Sequence, residues 1–243
     1  MSAGTGPRLN KDFGGFDRPR SIFSNLPQGV DQLCDYQVFF DDFLASVNDA
    51  TNQWIVVKDA GATALVGTGD LENGALTLTS AATTDDDGAS IQRAETTFLV
   101  KSGKKLWFEA RVKVSDADQG EMFVGLADNF ATDPEAVIVD GVARIGFELI
   151  DGAATVNTVM DNDTAPTRVV TAISMADDTY IRLGFRTDGG SVRFYINRAL
   201  VSTQIIPSAI AAVTLGPAFF HLSGNATGTH TALIDYVMAV QER

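Results

Sequence analysis

The sequence predicts an all-β protein, a two-layer sandwich preceded by an extended N-terminal arm. Three observations lead there. From residue 35 onward, short β-branched or aromatic runs recur between clusters of Gly, Asp and Asn, the pattern of strands joined by tight turns. Several runs alternate with a period of two, while the 3.6-residue spacing of an amphipathic helix is scarce. The composition also permits a core: of 243 residues 45% are hydrophobic and 20% charged, with 22 Gly and 7 Pro, which excludes a wholly disordered or collagen-like polymer.

Residues 1–34 form the predicted arm. They are rich in Gly, Pro, Asn and Arg and keep no period of 2 or 3.6. A frayed terminus is one reading. Phe13, Phe16 and the Ile22-Phe23 pair favour another, a tether that orders when its apolar side chains enter grooves on a neighbouring subunit. Its candidate partner-binding residues are Arg8, Phe13, Phe16, Arg18, Arg20 and Phe23. The sandwich then occupies 35–243.

Strands are expected at 36–40, 53–58, 74–79 and 88–92, followed by the clearest alternation, in KLWFEARVKV and beyond. There Leu106, Phe108, Ala110, Val112 and Val114 share a core face. Trp107, Glu109, Arg111 and Lys113 share the other, toward water or a second layer. Further strands are expected at 121–127, 144–150 and 154–159. Next comes a hairpin, YIRLGFRT and SVRFYIN, around the turn Asp188-Gly189-Gly190, whose glycines tolerate the positive φ of a tight connection. Strands at 199–204, 213–222 and 229–240 close the chain. Short helical turns are expected only at 40–47 and 207–212, and no repeat of 20 to 50 residues is visible, which disfavours a propeller or solenoid.

The net charge of −13 argues against binding along a phosphate backbone, so nucleic acid is not expected as a partner. Cys34 is the single cysteine and has no internal partner for a disulfide. The first twenty-odd residues lack the apolar stretch of a signal peptide, and no uninterrupted apolar run suits a membrane span. These features together predict assembly inside a cell without export, and no membrane partner.

The order of segments resembles the concanavalin A-like jelly roll shared by legume lectins, laminin-G-like domains and several glycan hydrolases. The resemblance is carried by YQVFFDDF with Trp54 following, LWFEARVKV, GEMFVGLAD with RIGFELIDG, YIRLGFRTDGGSVRFYINRALV, and a closing ALIDYVMAVQE that would lie beside the first strand. Within that group the chain is similar to tailed-bacteriophage virion proteins, the capsid decoration or cement proteins, in which such a sandwich follows a short arm. That likeness implies a non-enzymatic structural protein on the capsid surface, its arm bridging subunits of the major capsid protein. It also implies a homo-oligomer, a trimer at a local threefold being one arrangement.

The chemistry of individual residues agrees with a non-enzymatic role. A retaining glycosidase needs two carboxylates about 5–5.5 Å apart, and the Glu, Asp, Glu alternation that would supply them on one strand is missing. Glu109 is followed on its face by Arg111 and Lys113, and Glu148 by Ile150. Glu109 is expected to make a surface pair with a cross-strand Arg, worth about 0–1 kcal/mol. His221 and His230 read as strand positions rather than a metal pair, and Cys34 as a small apolar residue. The acidic turns Asp85-Asp86-Asp87 and Asp161-Asn162-Asp163 lack the spacing of an EF-hand and read as solvated. No catalytic residue, metal or cofactor is expected. The alternative function is carbohydrate binding in a host-recognition protein, with Asp128 and Asn129 as candidate ligand-binding residues and a glycan as partner; glycan hydrolysis ranks last.

Overall fold

The computed structural model describes residues 35–44, 53–66, 74–81, 84–128, 134, 142–161, 166–207, 210, 213–225 and 227–243. Sixteen strands run through them: β1 (Tyr36–Asp41), β2 (Trp54–Lys58), β3 (Thr63–Val66), β4 (Leu76–Thr79), β5 (Gly88–Arg93), β6 (Phe98–Leu99), β7 (Leu106–Val114) and β8 (Gly120–Ala127), then β9 (Arg144–Ile150), β10 (Ala153–Asp161), β11 (Thr167–Ser174), β12 (Ile181–Thr187), β13 (Ser191–Ile196), β14 (Ala199–Ile205), β15 (Thr214–Ser223) and β16 (Thr231–Glu242). They form two antiparallel eight-stranded sheets. The first has the order β14-β13-β12-β7-β16-β4-β3, with β1 also pairing β16; the second has the order β11-β10-β9-β8-β15-β5-β2, with β6 also pairing β15. The expected closure of the last strand against the first is present, from Tyr36 opposite Glu242 to Asp41 opposite Val237.

The period of two decides which side chains meet between the sheets. Leu106, Phe108, Ala110, Val112 and Val114 of β7 are all fully buried there, facing Met122, Val124 and Leu126 of β8 and Ile145, Phe147 and Leu149 of β9. Rings pack both within a layer and between the two. Phe108 stacks on Phe185 at 5.1 Å, and Phe147 of the second sheet meets Phe194 of the first edge-on at 5.4 Å. Each such ring contributes about 1.5–3 kcal/mol by leaving water, plus a smaller gain from its geometry.

Three strands depart from expectation. β3 is four residues of mixed exposure, and β6 has two residues, too short to show a period. β11 is a sheet edge exposed along nearly its whole length, with only Thr171 buried, so no alternation marks it. The helical turn expected over 40–47 is corrected: Phe40 and Asp41 belong to β1, and residues 42–44 are irregular. No helix among the described residues is long and apolar enough to cross a membrane. The arm at 1–34 with Arg8, Phe13, Phe16, Arg18, Arg20 and Phe23, together with Cys34 and Asn129, lies outside the described residues.

Candidate functional site, the outer face of the second sheet

The side of β8 and β9 turned away from the core carries an unusual set of residues. Glu148 sits directly across from Phe123, and Arg144 across from Ala127. On the other side of β9, Asp161 of β10 faces Arg144. Glu121, two residues before Phe123, therefore shares this face and stands diagonal to Glu148, a relation that puts Cα atoms about 7–8 Å apart.

These groups are tightly coupled. The Arg144 side chain is fully buried, with Nε 3.1 Å from Glu148 Oε1 and Nη2 3.3 Å from Asp161 Oδ2. Arg168, from edge strand β11, brings its Nε to 2.6 Å from Glu148 Oε2. Each Glu148 oxygen is thus engaged by a different guanidinium, which is how a carboxylate with 3% of its side chain exposed can stand in the interior. Glu121 has the opposite environment. Burial pushes its pKa up to about 7, opposed in part by the Asp151 N–H and reinforced by Asp86, Asp151 and Glu148. One carboxyl is held among cations and the other is pushed toward its acid form.

Glycines shape the floor. Gly125 and Gly146 face each other across β8 and β9. A Cβ on Gly125 would come within 2.3 Å of the Ile145 carbonyl oxygen, and one on Gly146 within 2.3 Å of the Val124 oxygen. The Phe123 ring lies over both, since either Cβ would also meet it at 3.0 Å or less. Phe220 of β15 stacks on Phe123 at 6.1 Å, and both rings are buried.

The residues singled out from sequence are placed as follows. Glu109 is corrected from a surface pair to a buried one. It is 2% exposed, receives both Nε (3.2 Å) and Nη2 (3.1 Å) of Arg198, and accepts the Tyr236 hydroxyl at 2.6 Å. Arg198 comes from the β13–β14 turn, where Asn197 and Arg198 both take positive φ. That conformation costs a non-glycine residue energy and aims the guanidinium at Glu109. Asp128 follows β8, its N–H bonded to the Ala143 oxygen, at the same end of the sheet as Asp161. Asp161 is not a solvated turn residue: its side chain is fully buried against Arg144. His221 lies in β15 as expected, fully buried, with Nδ1–H donating to the Glu121 carbonyl at 3.1 Å; burial lowers its pKa to about 4. His230 immediately precedes β16, 3.9 Å from Asp116. Among the described residues, no three His, Cys, Asp or Glu are grouped to hold a metal ion. Glu121 is the residue that sequence reasoning missed, because its neighbours become visible only through the register of β8 with β9.

No family model and no curated protein sequence matches this chain. Solved structures do. An endo-1,3-beta-glucanase from Streptomyces sioyaensis is 16% identical over 85% of this chain and 96% of its own, with a TM-score of 0.58. A prokaryotic beta-1,3-1,4-glucanase (lichenase) from a mouse hindgut metagenome is 13% identical over 84% and 98%, at 0.57. A Bacteroides ovatus GH16 protein of a mixed-linkage glucan locus, in complex with a product, is 18% identical over 82% and 98%, at 0.55. The fold is a concanavalin A-like jelly roll. The expected role as a non-enzymatic capsid decoration protein is corrected by the same finding. The solved structures named here that share the fold are glucanases and a GH16 protein, and none is a capsid protein.

Proposed function

We propose that this chain acts on a glycan, cleaving it with Glu121 as proton donor and Glu148 as the facing carboxylate. The observation that carries this reading is the contrast between them: two carboxyls on one sheet face, one half-buried among other acids and raised to about 7, the other clasped by Arg144 and Arg168. Carboxyls driven apart in this way divide into an acid and an anion, the division of labour that glycosidic cleavage needs. Protonated Glu121 delivers a proton to the departing glycosidic oxygen. Glu148 opposes the positive charge that develops on the sugar, and a solvent water then adds its oxygen to the anomeric carbon and gives its proton back to Glu121. The likeness to endo-1,3-beta-glucanase and lichenase folds makes β-1,3- and mixed-linkage glucans the first substrates to try.

The test is release of reducing ends from those two polysaccharides by the full chain and by Glu121→Gln, whose fold is checked by circular dichroism. A general acid contributes roughly 10²–10⁴-fold, so the variant is expected to lose at least about a hundredfold in kcat. The wild-type rate is expected to fall as pH rises through about 7. No release by folded wild-type chain, or an unchanged rate in Glu121→Gln, overturns the proposal.

A further inference from the structure

On the opposite side of the sandwich, β7, β12 and β13 set three side chains in one cross-strand row. Trp107 faces Arg186, and Arg186 faces Arg193. With Lys105 and Ser191 they line a cavity of about 80 Å³. A water occupies about 30 Å³ of liquid. The space therefore holds a few waters or one small head group.

Two features of this cavity are unfavourable as they stand. Like charges placed directly opposite on a sheet repel, yet Arg186 and Arg193 occupy just such positions and Lys105 adds a third cation, in a chain whose net charge is −13. The Trp107 Nε1–H is buried with no acceptor among the described residues, and a buried donor left unpaired is costly. The one acid in the lining, Asp188, spends its Oδ1 on its own hairpin, accepting the N–H groups of Gly190 (3.1 Å) and Ser191 (3.3 Å), and offsets the Arg193 charge only from beyond ion-pair distance. Lys105 already pairs with Glu242 at 2.9 Å and Arg186 interacts with the Tyr195 hydroxyl, a neutral partner that leaves its charge in place, while no ion pair engages Arg193 among the described residues.

We propose that this cavity is a binding site for a single oxyanion, the carboxylate, sulfate or phosphate group of a small ligand. An oxyanion between the two guanidiniums converts their repulsion into charge-assisted hydrogen bonds, because the planar fork of Arg matches paired oxygens. A third oxygen accepts the Trp107 N–H. The site lies on the first sheet, apart from Glu121 and Glu148, so it stands whether or not the chain cleaves glycans.

The chain has two tryptophans, which gives the test an internal reference. The Trp54 Nε1–H already donates to Asp41 Oδ2 at 2.8 Å. Sodium sulfate, phosphate and acetate are titrated separately into ¹⁵N-labelled chain, with sodium chloride at matched ionic strength as control, and both indole resonances are followed. The Trp107 signal is expected to shift saturably with at least one oxyanion while Trp54 stays still, and the tightest of the three names the class. Arg193→Gln is expected to weaken that anion at least about tenfold, its unchanged Trp54 signal certifying the fold. Equal shifts with chloride, movement of Trp107 no larger than that of Trp54, or an unweakened Arg193→Gln overturns the site.

Discussion

At the scale of single residues, Glu121 makes stability depend on pH in a direction opposite to most carboxylates. Its folded pKa is raised from 4.5 to about 7, chiefly by burial. The folded state therefore binds this proton more tightly than the unfolded chain does. Below about pH 4.5 both states are protonated and Glu121 costs nothing; between 4.5 and 7 the unfolded chain ionises first and stability falls; above 7 the full cost is present. Each pKa unit is worth about 1.4 kcal/mol, and discounting for the partial exposure of this side chain leaves about 1–2 kcal/mol. Glu121→Gln is expected to melt higher than wild type at pH 8 and level with it at pH 4. Thermal melts at both values decide the matter: an equal gap at each would show that packing, rather than the proton, sets the difference.

At the scale of elements, the β8–β9 pair depends on two glycines meeting. Gly146→Ala drives a methyl into the Val124 carbonyl and the Phe123 ring, neither of which is the free end of a flexible chain, and overpacking of this kind costs about 1–3 kcal/mol. Urea unfolding should show the midpoint fall with no change in slope; a midpoint equal to wild type would mean that the strands part without cost. The same strands show what sequence could and could not convey. β7, β9 and the β12–β13 hairpin were legible because one face of each is apolar and the other polar over several residues. β11 was not, since an exposed edge imposes no alternation. On the outward face of β7 the alternation leaves water or a second layer open, and Glu109, expected in a surface pair, is buried with Trp107, covered by Tyr36, Arg198 and Tyr236 from distant parts of the chain. The Glu121–Glu148 relation was invisible for a related reason, because a slip of one residue in register would have put the two on opposite faces.

At the scale of the whole molecule, closure waits for the last residues of the chain. β16 is no edge strand: it lies between β7 and β4, with β1 also joined to it. The first sheet thus has a gap through its middle until the C-terminal strand is laid down. β16 contributes Ala232, Ile234, Val237, Ala239 and Val240 to the buried set. At about 1.5–3 kcal/mol for each large apolar side chain, their loss consumes most of the roughly 5–15 kcal/mol by which a domain of this kind is stable. It also exposes unpaired edges on β7, β4 and β1. A chain ending at residue 230 is therefore expected to lose cooperative unfolding and to bind a hydrophobic dye, whereas the full chain melts in one transition. Pairing between such distant segments is also slow, so refolding of the full chain should take milliseconds to seconds. A truncated chain that still unfolds sharply would show that the second sheet holds the core by itself, and that β16 seals a structure already formed.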